Sequence, residues 1–272
     1  MAISALVTDL DGTFWSTEMT LHDASVDTVA LLDEHDIPFV IATGRRAQST
    51  LGGLRPVGLS DRPAILMNGA LVRDRLDGPS FHRSLIAAAD AQRTREIFQS
   101  HGLEPLIYID DPERDVLAGP NAAAAEGYIG DAPGVHKVDD LTVAMADVPI
   151  TGFGAFGYRQ DFLARIQSDI ESEGLASAII SPSHYEQDYG LMVQGTGVDK
   201  ATGLDAYCER HGVDRDGLAV VGDGLNDVGM LSTAAIAIVP TNAPVEVQAI
   251  ADALIEPNEL GGWKQIPSIL GM

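Results

Sequence analysis

The sequence predicts an α/β protein: a doubly wound parallel sheet interrupted by a large α+β insertion. Three observations carry that expectation. Apolar runs of strand length alternate with helix-length amphipathic stretches at both ends of the chain. The runs close on polar turns, Asp9-Leu10-Asp11-Gly12, Thr43-Gly44-Arg45, Asn68-Gly69-Ala70 and Gly222-Asp223-Gly224. Between them the pattern changes, which divides the chain into a core of 1–83 and 195–272 and an inserted cap of 84–194, with hinges near Arg83 and Gly195.

Taken in order, Ile3, Ala5, Leu6 and Val7 form a buried strand that ends at Asp9 and Asp11. Asp23 or Ser25 caps a helix bearing Val26, Val29 and Leu32, and 37–42 forms a second strand ending in Thr43-Gly44-Arg45. A helix with Gln48 and Leu51 follows, then a third strand at 64–67. Alternation over 71–79, closed by Asp77-Gly78-Pro79, predicts a hairpin-like exit. In the insertion, an alanine-rich helix over 87–101 leads to strands at 105–109, 150–158, 176–181 and 189–194. Phe162, Ile166 and Ile170 recur every four residues and mark a second helix there, while the loop at 110–131 has no clear period. The first architecture then resumes. Lys200 opens a helix running to His211, 218–221 is a strand ending in Gly222-Asp223-Gly224-Leu225-Asn226-Asp227, and a short helix carries Met230 and Leu231. A strand at 235–239 and a last helix over 244–254 complete the alternation, which implies right-handed crossovers.

At 272 residues the chain can bury a full core in one large domain or two modest ones. Its 45% hydrophobic and 21% charged residues are a soluble globular balance, and no apolar run is long enough to cross a bilayer. The start has neither a basic leader nor a cleavage-like site, and the one cysteine, Cys208, cannot form an internal disulfide, so a cytoplasmic location is expected. Cys208 falls four residues after Leu204 in a helical stretch and reads as a core residue. The formal charge of −23 argues against nucleic acid as a partner, because its phosphates would be repelled. It would also repel an anionic substrate, so a phosphate site here needs locally fixed positive charge. Lysine is scarce, at Lys137, Lys200 and Lys264 only. The acidic composition suits a saline cytosol or a compositional bias equally.

The pair Asp9 and Asp11 stands where the first strand ends, the edge at which open α/β sheets bind ligands. A carboxylate can attack phosphorus to give an aspartyl-phosphate, and a second can protonate the leaving oxygen. That makes Asp9 the nucleophile and Asp11 the general acid. The spacing alone also occurs in calcium loops, but such a loop needs an oxygen ligand after Asp11 and a glutamate at its twelfth position, where Thr13 and Thr20 stand. Asp9 and Asp223, at the ends of neighbouring strands, offer the oxygens that Mg2+ prefers, with a main-chain carbonyl and waters completing the octahedron. Lys200 reads as the cation beside a phosphoryl group or as a surface lysine at a helix start. Thr43-Gly44-Arg45 reads as an anion cradle at a helix N-terminus or as an ordinary strand-to-helix cap.

Asp9-Leu10-Asp11-Gly12-Thr13, Thr43-Gly44-Arg45, Lys200 and Gly222-Asp223-Gly224-Leu225-Asn226-Asp227 resemble, in order, the four motifs of the haloacid dehalogenase-like superfamily. Asn68-Gly69-Ala70-Leu71-Val72, the insertion between the second and third motifs, and Asn242-Ala243 resemble its Cof-type phosphatase branch. The likeness covers about 1–82 and 195–272, and the insertion matches in position and size. It implies a Rossmann-like core with a cap, and a magnesium-dependent phosphatase of small phosphorylated metabolites, sugar phosphates or phosphoglycolate-like, acting through an aspartyl-phosphate. By the same resemblance Asp9 is nucleophile and metal ligand, and Asp11 is the acid/base whose backbone oxygen also binds the metal. Thr43 and Gly44 with Lys200 hold the phosphoryl group, Asp223 completes the metal site, Asn226 contacts the phosphate or its lysine, and Asp227 supports the metal shell. Asp11 argues against dehalogenation, since the dehalogenases lack that second aspartate. One departure is Pro240-Thr241, where Cof-type chains usually carry methionine and glycine.

Two other functions fit the same residues. A phosphotransferase or phosphomutase shares the aspartyl-phosphate and passes it to a sugar hydroxyl, and a non-catalytic metabolite-binding protein would use the pocket without turnover. Substrate selection would fall to the cap, where His184, Tyr185, Glu186 and Asp188 are candidates, or simply a polar turn between strands. No membrane partner is expected, and the oligomeric state is not legible.

Overall fold

The computed structural model describes residues 3–16, 18–124, 132–182 and 189–272. Contacts divide the backbone into two compact units, the first of Met1–Arg45, Gly53–His82 and Asp199–Met272, the second of Arg46–Gly52 and Arg83–Val198. The strands run β1 (Ala5–Thr8), β2 (Phe39–Ala42), β3 (Ala64–Leu66), β4 (Leu71–Arg73) and β5 (Ser80–Arg83). They continue with β6 (Leu106–Ile109), β7 (Val116–Ala118), β8 (Val135–Lys137), β9 (Ile150–Tyr158), β10 (Ser177–Pro182) and β11 (Tyr189–Gln194). The chain then forms β12 (Leu218–Val221), β13 (Ile236–Pro240) and β14 (Ala253–Ile255).

The first unit is built on an eight-stranded sheet in the order β14-β13-β12-β1-β2-β3-β4-β5. Strands β14 to β3 are parallel, with Thr8 opposite both Ile41 and Val221, and β4 turns back antiparallel to β3. From β1 the chain proceeds outward through β2 and β3 on one side, and from β12 through β13 and β14 on the other. The gap between β1 and β12 is therefore the place where strand order reverses, the position at which parallel sheets bind ligands beyond their carboxyl ends. Alternation along β1 sends Ala5 and Val7 to one face, where they join Val40, Leu204, Val220 and Val239 in a buried cluster. Among the side chains of the central strands, Phe39 packs with Phe14 and Trp263 at ring separations of 5.1 and 6.2 Å. Both faces of the central strands are apolar because helices cover both.

Two expected elements differ. The helix Asp23–Glu34 is capped by His22, whose ring accepts the Ala24 amide, while Ser25 is buried within the first turn. The expected helix over 244–254 stops at Gln248, and Ala253–Ile255 forms an edge strand on β13. The Asp252 carboxylate accepts the Ala237 amide while its own amide donates back to Ala237, so pairing with the sheet overrides helical propensity there.

The second unit carries a six-stranded sheet in the order β10-β11-β9-β6-β7-β8, antiparallel except for β7 on β8. Helices Ala88–Ser100 and Gln160–Ser172 bury Phe98, Leu163, Ile166 and Ile170 with Phe153 of β9. The buried position in the first turn of the second helix is Leu163, with Phe162 packed partly buried at its margin. The expected loop at 110–131 contains β7, and its part beyond residue 124 lies outside the described residues, as do His184, Tyr185, Glu186 and Asp188.

Candidate active site

Asp9 follows β1 and Asp223 follows β12, so the strand pairing that aligns Thr8 with Val221 sets both carboxylates at the reversal point of the sheet. The Asp9 amide donates to the Val221 carbonyl at 2.9 Å, which extends the ladder one residue beyond the strand. Lys200 reaches the same point from the first position of helix Lys200–His211. Asp199 caps that helix reciprocally: its carboxylate accepts the Thr202 amide at 2.7 Å, and the Thr202 hydroxyl accepts the Asp199 amide at 3.1 Å.

The Lys200 ammonium is fully buried and donates to Asp9 Oδ1 and, at 2.6 Å, to Asp227 Oδ1. Asp227 is itself fixed, because its Oδ2 accepts the amides of Gly224 at 2.8 Å and Asp223 at 3.1 Å. The Thr13 hydroxyl donates to Asp223 Oδ1 at 2.6 Å. Burial works against the charge on Lys200, but Asp227 and Asp9 outweigh it and hold the ammonium above the ordinary lysine range. Burial pushes the Asp9 carboxyl up, opposed by Lys200 and reinforced by Asp227 and Asp223. Asp223 is pushed up to about 6, by burial first, with Thr13 pulling the other way and Asp227 adding to the rise.

One oxygen from each of Asp9, Asp223 and Asp227 lies within 4.8 Å of the others. Three carboxylates with one ammonium leave this buried cluster with surplus negative charge, and an all-oxygen donor set is what a hard divalent cation requires. The residues present therefore fit magnesium.

Asp11 is placed differently. Its carboxylate accepts Arg45 Nε at 2.7 Å and Nη2 at 2.6 Å, and the Trp15 indole N–H at 3.0 Å. The Arg45 guanidinium also lies over the Trp15 ring, 5.5 Å from its centre. Thr43 is buried, and its hydroxyl accepts the Arg45 amide at 3.1 Å. Asn226 is exposed and donates to Asn68 Oδ1 at 3.1 Å, whereas Lys200 is bonded to Asp9 and Asp227. The helix Ala47–Leu54 beyond Gly44 already holds an anion at its start, since Gln48 donates its amide to Asp115 Oδ2 at 2.8 Å within the second unit.

Sequence reasoning passed over Trp15 and Thr13 as supports. A residue two or four positions from an acid carries no mark of its own until the turn at 9–15 folds Trp15 back onto Asp11.

The chain matches the model of the haloacid dehalogenase-like hydrolases over residues 6–264. It is similar to a phosphoglycolate phosphatase of Methanopyrus kandleri, 24% identical over 258 residues that span 93% of this chain and 90% of the relative. Among solved structures it resembles a haloacid dehalogenase-like hydrolase from Bacteroides thetaiotaomicron, with a TM-score of 0.82, 18% identity and coverage of 98% and 99% of the two chains. It also resembles a sugar phosphatase of subclass IIB, with a TM-score of 0.74, 20% identity and coverage of 98% and 99%. These structural likenesses show the fold. No helix among the described residues is long and apolar enough to cross a membrane.

Proposed function

We propose that this chain, which belongs to the haloacid dehalogenase-like hydrolases, is a magnesium-dependent phosphatase of small phosphorylated metabolites that works through an aspartyl-phosphate. The observation that carries this reading is the buried cluster of Asp9, Asp223 and Asp227 around Lys200 at the reversal point of the sheet. A carboxylate at that point stands where open parallel sheets bind ligands, and the ammonium beside it attracts a phosphoryl group that the net charge of −23 would otherwise repel.

An Asp9 oxygen attacks phosphorus, the bond from phosphorus to the leaving oxygen breaks, and Asp11 supplies the proton that this oxygen takes up. Asp11 then takes a proton from water as the water attacks the aspartyl-phosphate, which releases inorganic phosphate and restores Asp9. For this work Asp11 turns from Arg45 and Trp15 toward the reacting oxygen. Thr43, Gly44 and Asn226 orient the phosphoryl oxygens beside Lys200. Magnesium would be held by Asp9, Asp223 and the backbone oxygen of Asp11, with Asp227 supporting them, and supplies neutralisation of phosphoryl charge. Uncatalysed monoester hydrolysis requires accelerations of up to ~10²¹-fold, so several charge-stabilising groups around one phosphoryl group are proportionate to the task.

The segment 84–194 is read as a cap that selects the substrate. Phosphoglycolate is the first substrate to test, since the Methanopyrus kandleri relative bears that name, and sugar phosphates are the second. The deciding experiment is hydrolysis of p-nitrophenyl phosphate by wild type and Asp9→Asn, each with magnesium and with chelator. Turnover by wild type with magnesium alone supports the reading, and a panel of phosphoglycolate, sugar phosphates and nucleotides then ranks substrates. A folded wild type inert toward the whole panel overturns it, and transfer of phosphate to sugar hydroxyls in preference to water reassigns the chain as a phosphotransferase.

A further inference from the structure

The residues assigned above leave one motif without a role, the turn Met67-Asn68-Gly69 at the end of β3. Its backbone is unusual. Met67 and Asn68 both have positive φ, 52° and 48°, and Gly69 follows at 101°. Two consecutive non-glycine residues in the left-handed region are retained only where their surroundings over-determine them, and such strain gathers at functional sites.

Three pieces of the site lock onto this turn. The amides of Met67 and Asn68 donate to the carbonyls of Arg45 and Thr43, each at 3.0 Å, which pins the Thr43-Gly44-Arg45 loop from both ends. The Asn68 amide group lies so close over Gly44 that a Cβ there would stand 2.9 Å from Asn68 Oδ1. Asn68 Oδ1 also accepts Asn226 Nδ2, across 158 residues of chain. Gly69 packs against the start of the helix that bears Lys200: a Cβ on Gly69 would strike the Asp199 carbonyl and stand 3.1 Å from the Gly203 amide.

We infer that Asn68 is a positioning residue for phosphoryl transfer. Its turn is the common support on which Thr43, Lys200 and Asn226 are set relative to one another. This rests on the phosphatase reading for its catalytic consequence and on geometry alone for its structural one.

The test separates the two. Asn68→Gly keeps the left-handed backbone and deletes the amide group, so it spares the fold, whereas Asn68→Ala also strains the turn. Activity toward p-nitrophenyl phosphate with magnesium is measured for both, for Asn226→Ala and for Asn68→Gly/Asn226→Ala, together with melting temperature. Asn68→Gly is expected to lose about 10–100-fold in kcat, the range in which small misplacements act, while melting close to wild type. The double variant should lose less than the product of the two single losses, since both remove the shared contact between Asn68 and Asn226. Backbone amide exchange gives a readout independent of turnover: in Asn68→Gly the amides at 43–45 and 225–227 exchange faster, with β1 and β12 unchanged. Asn68→Gly within twofold of wild type in kcat and KM, or additive losses in the double variant, overturns the inference. A wild type inert toward phosphate esters removes the phosphatase reading and leaves the exchange experiment to decide, where unchanged exchange at 43–45 and 225–227 overturns the positioning role.

Discussion

Each unit of this protein buries an ion pair, and the two differ in charge count. In the second unit Arg46 and Asp115, both nearly inaccessible, meet at 2.5 Å; the Gln48 amide adds a donor to Asp115, and Arg46 also donates to the Pro133 carbonyl. Burial pushes the Asp115 carboxyl up against the pull of Arg46 and of that amide. The charges match one to one. In the first unit Lys200 meets Asp9 and Asp227, with Asp223 beside them, so carboxylates outnumber the ammonium. A balanced buried pair needs nothing further, whereas a surplus of buried carboxylate is costly unless a proton or a cation neutralises it. Burial alone therefore does not single out a candidate site, whereas the unbalanced cluster lies where strand order reverses and its carboxylates fit a divalent cation.

The largest expected effect is on the unbalanced cluster. Asp9→Asn removes the oxyanion proposed to attack phosphorus and should lower kcat about 10⁵-fold or more, the scale on which losing a nucleophile acts. Its isosteric amide can still accept from Lys200, so the variant should remain folded by circular dichroism. Retention of even a tenth of wild-type turnover would place the chemistry elsewhere. Asp11→Asn should cost about 10²–10⁴-fold on alkyl phosphates and distinctly less on p-nitrophenyl phosphate, whose leaving group needs little protonation. Equal losses on both esters would remove Asp11 from the acid role.

The balanced pair should respond in stability. Asp115→Ala strands a buried guanidinium and should destabilise the protein by about 3–5 kcal/mol in denaturant titrations. Replacing both partners, as Arg46→Met with Asp115→Leu, should recover most of that loss. A double variant as unstable as the single one would show that the pair does more than balance charge.

The smallest effect concerns pH. Burial pushes the Asp223 carboxyl up to about 6 from its ordinary value of 3.8. The folded state thus holds this proton more tightly than the unfolded chain. Its contribution to stability is fully present below pH 4 and is lost as the pH rises through 6. Magnesium binds the deprotonated form, so it should raise the melting temperature at pH 7.5, by about 2.7 kcal/mol of stability at a hundredfold excess over Kd, and give little at pH 5. Equal stabilisation at the two values would remove Asp223 from the metal site.

Much of this was legible before any contact was known. Apolar runs bounded by turn residues marked every strand of the parallel core except β14, because a strand covered on both faces is apolar at every position. The four polar turns lay at strand ends, where open sheets bind ligands, and scarcity singled out Lys200. The edge strand Ala253–Ile255 was missed because its conformation comes from pairing with β13 and from Asp252, not from a local pattern.

The local chain, then, settles where strands end and which acids, amides and lysine stand there, because apolar periodicity and turn chemistry act over a few residues. Sheet order and long-range packing settle the rest. They bring Lys200 to Asp9 across 191 residues and Asn226 to Asn68 across 158, and they commit the helix start at Arg46 to Asp115, 69 residues on. They also bring Arg45 onto Asp11 across 34 residues. Charge balance is a property of neighbours in space, so the distinction between the balanced pair and the unbalanced cluster exists only once the chain has folded.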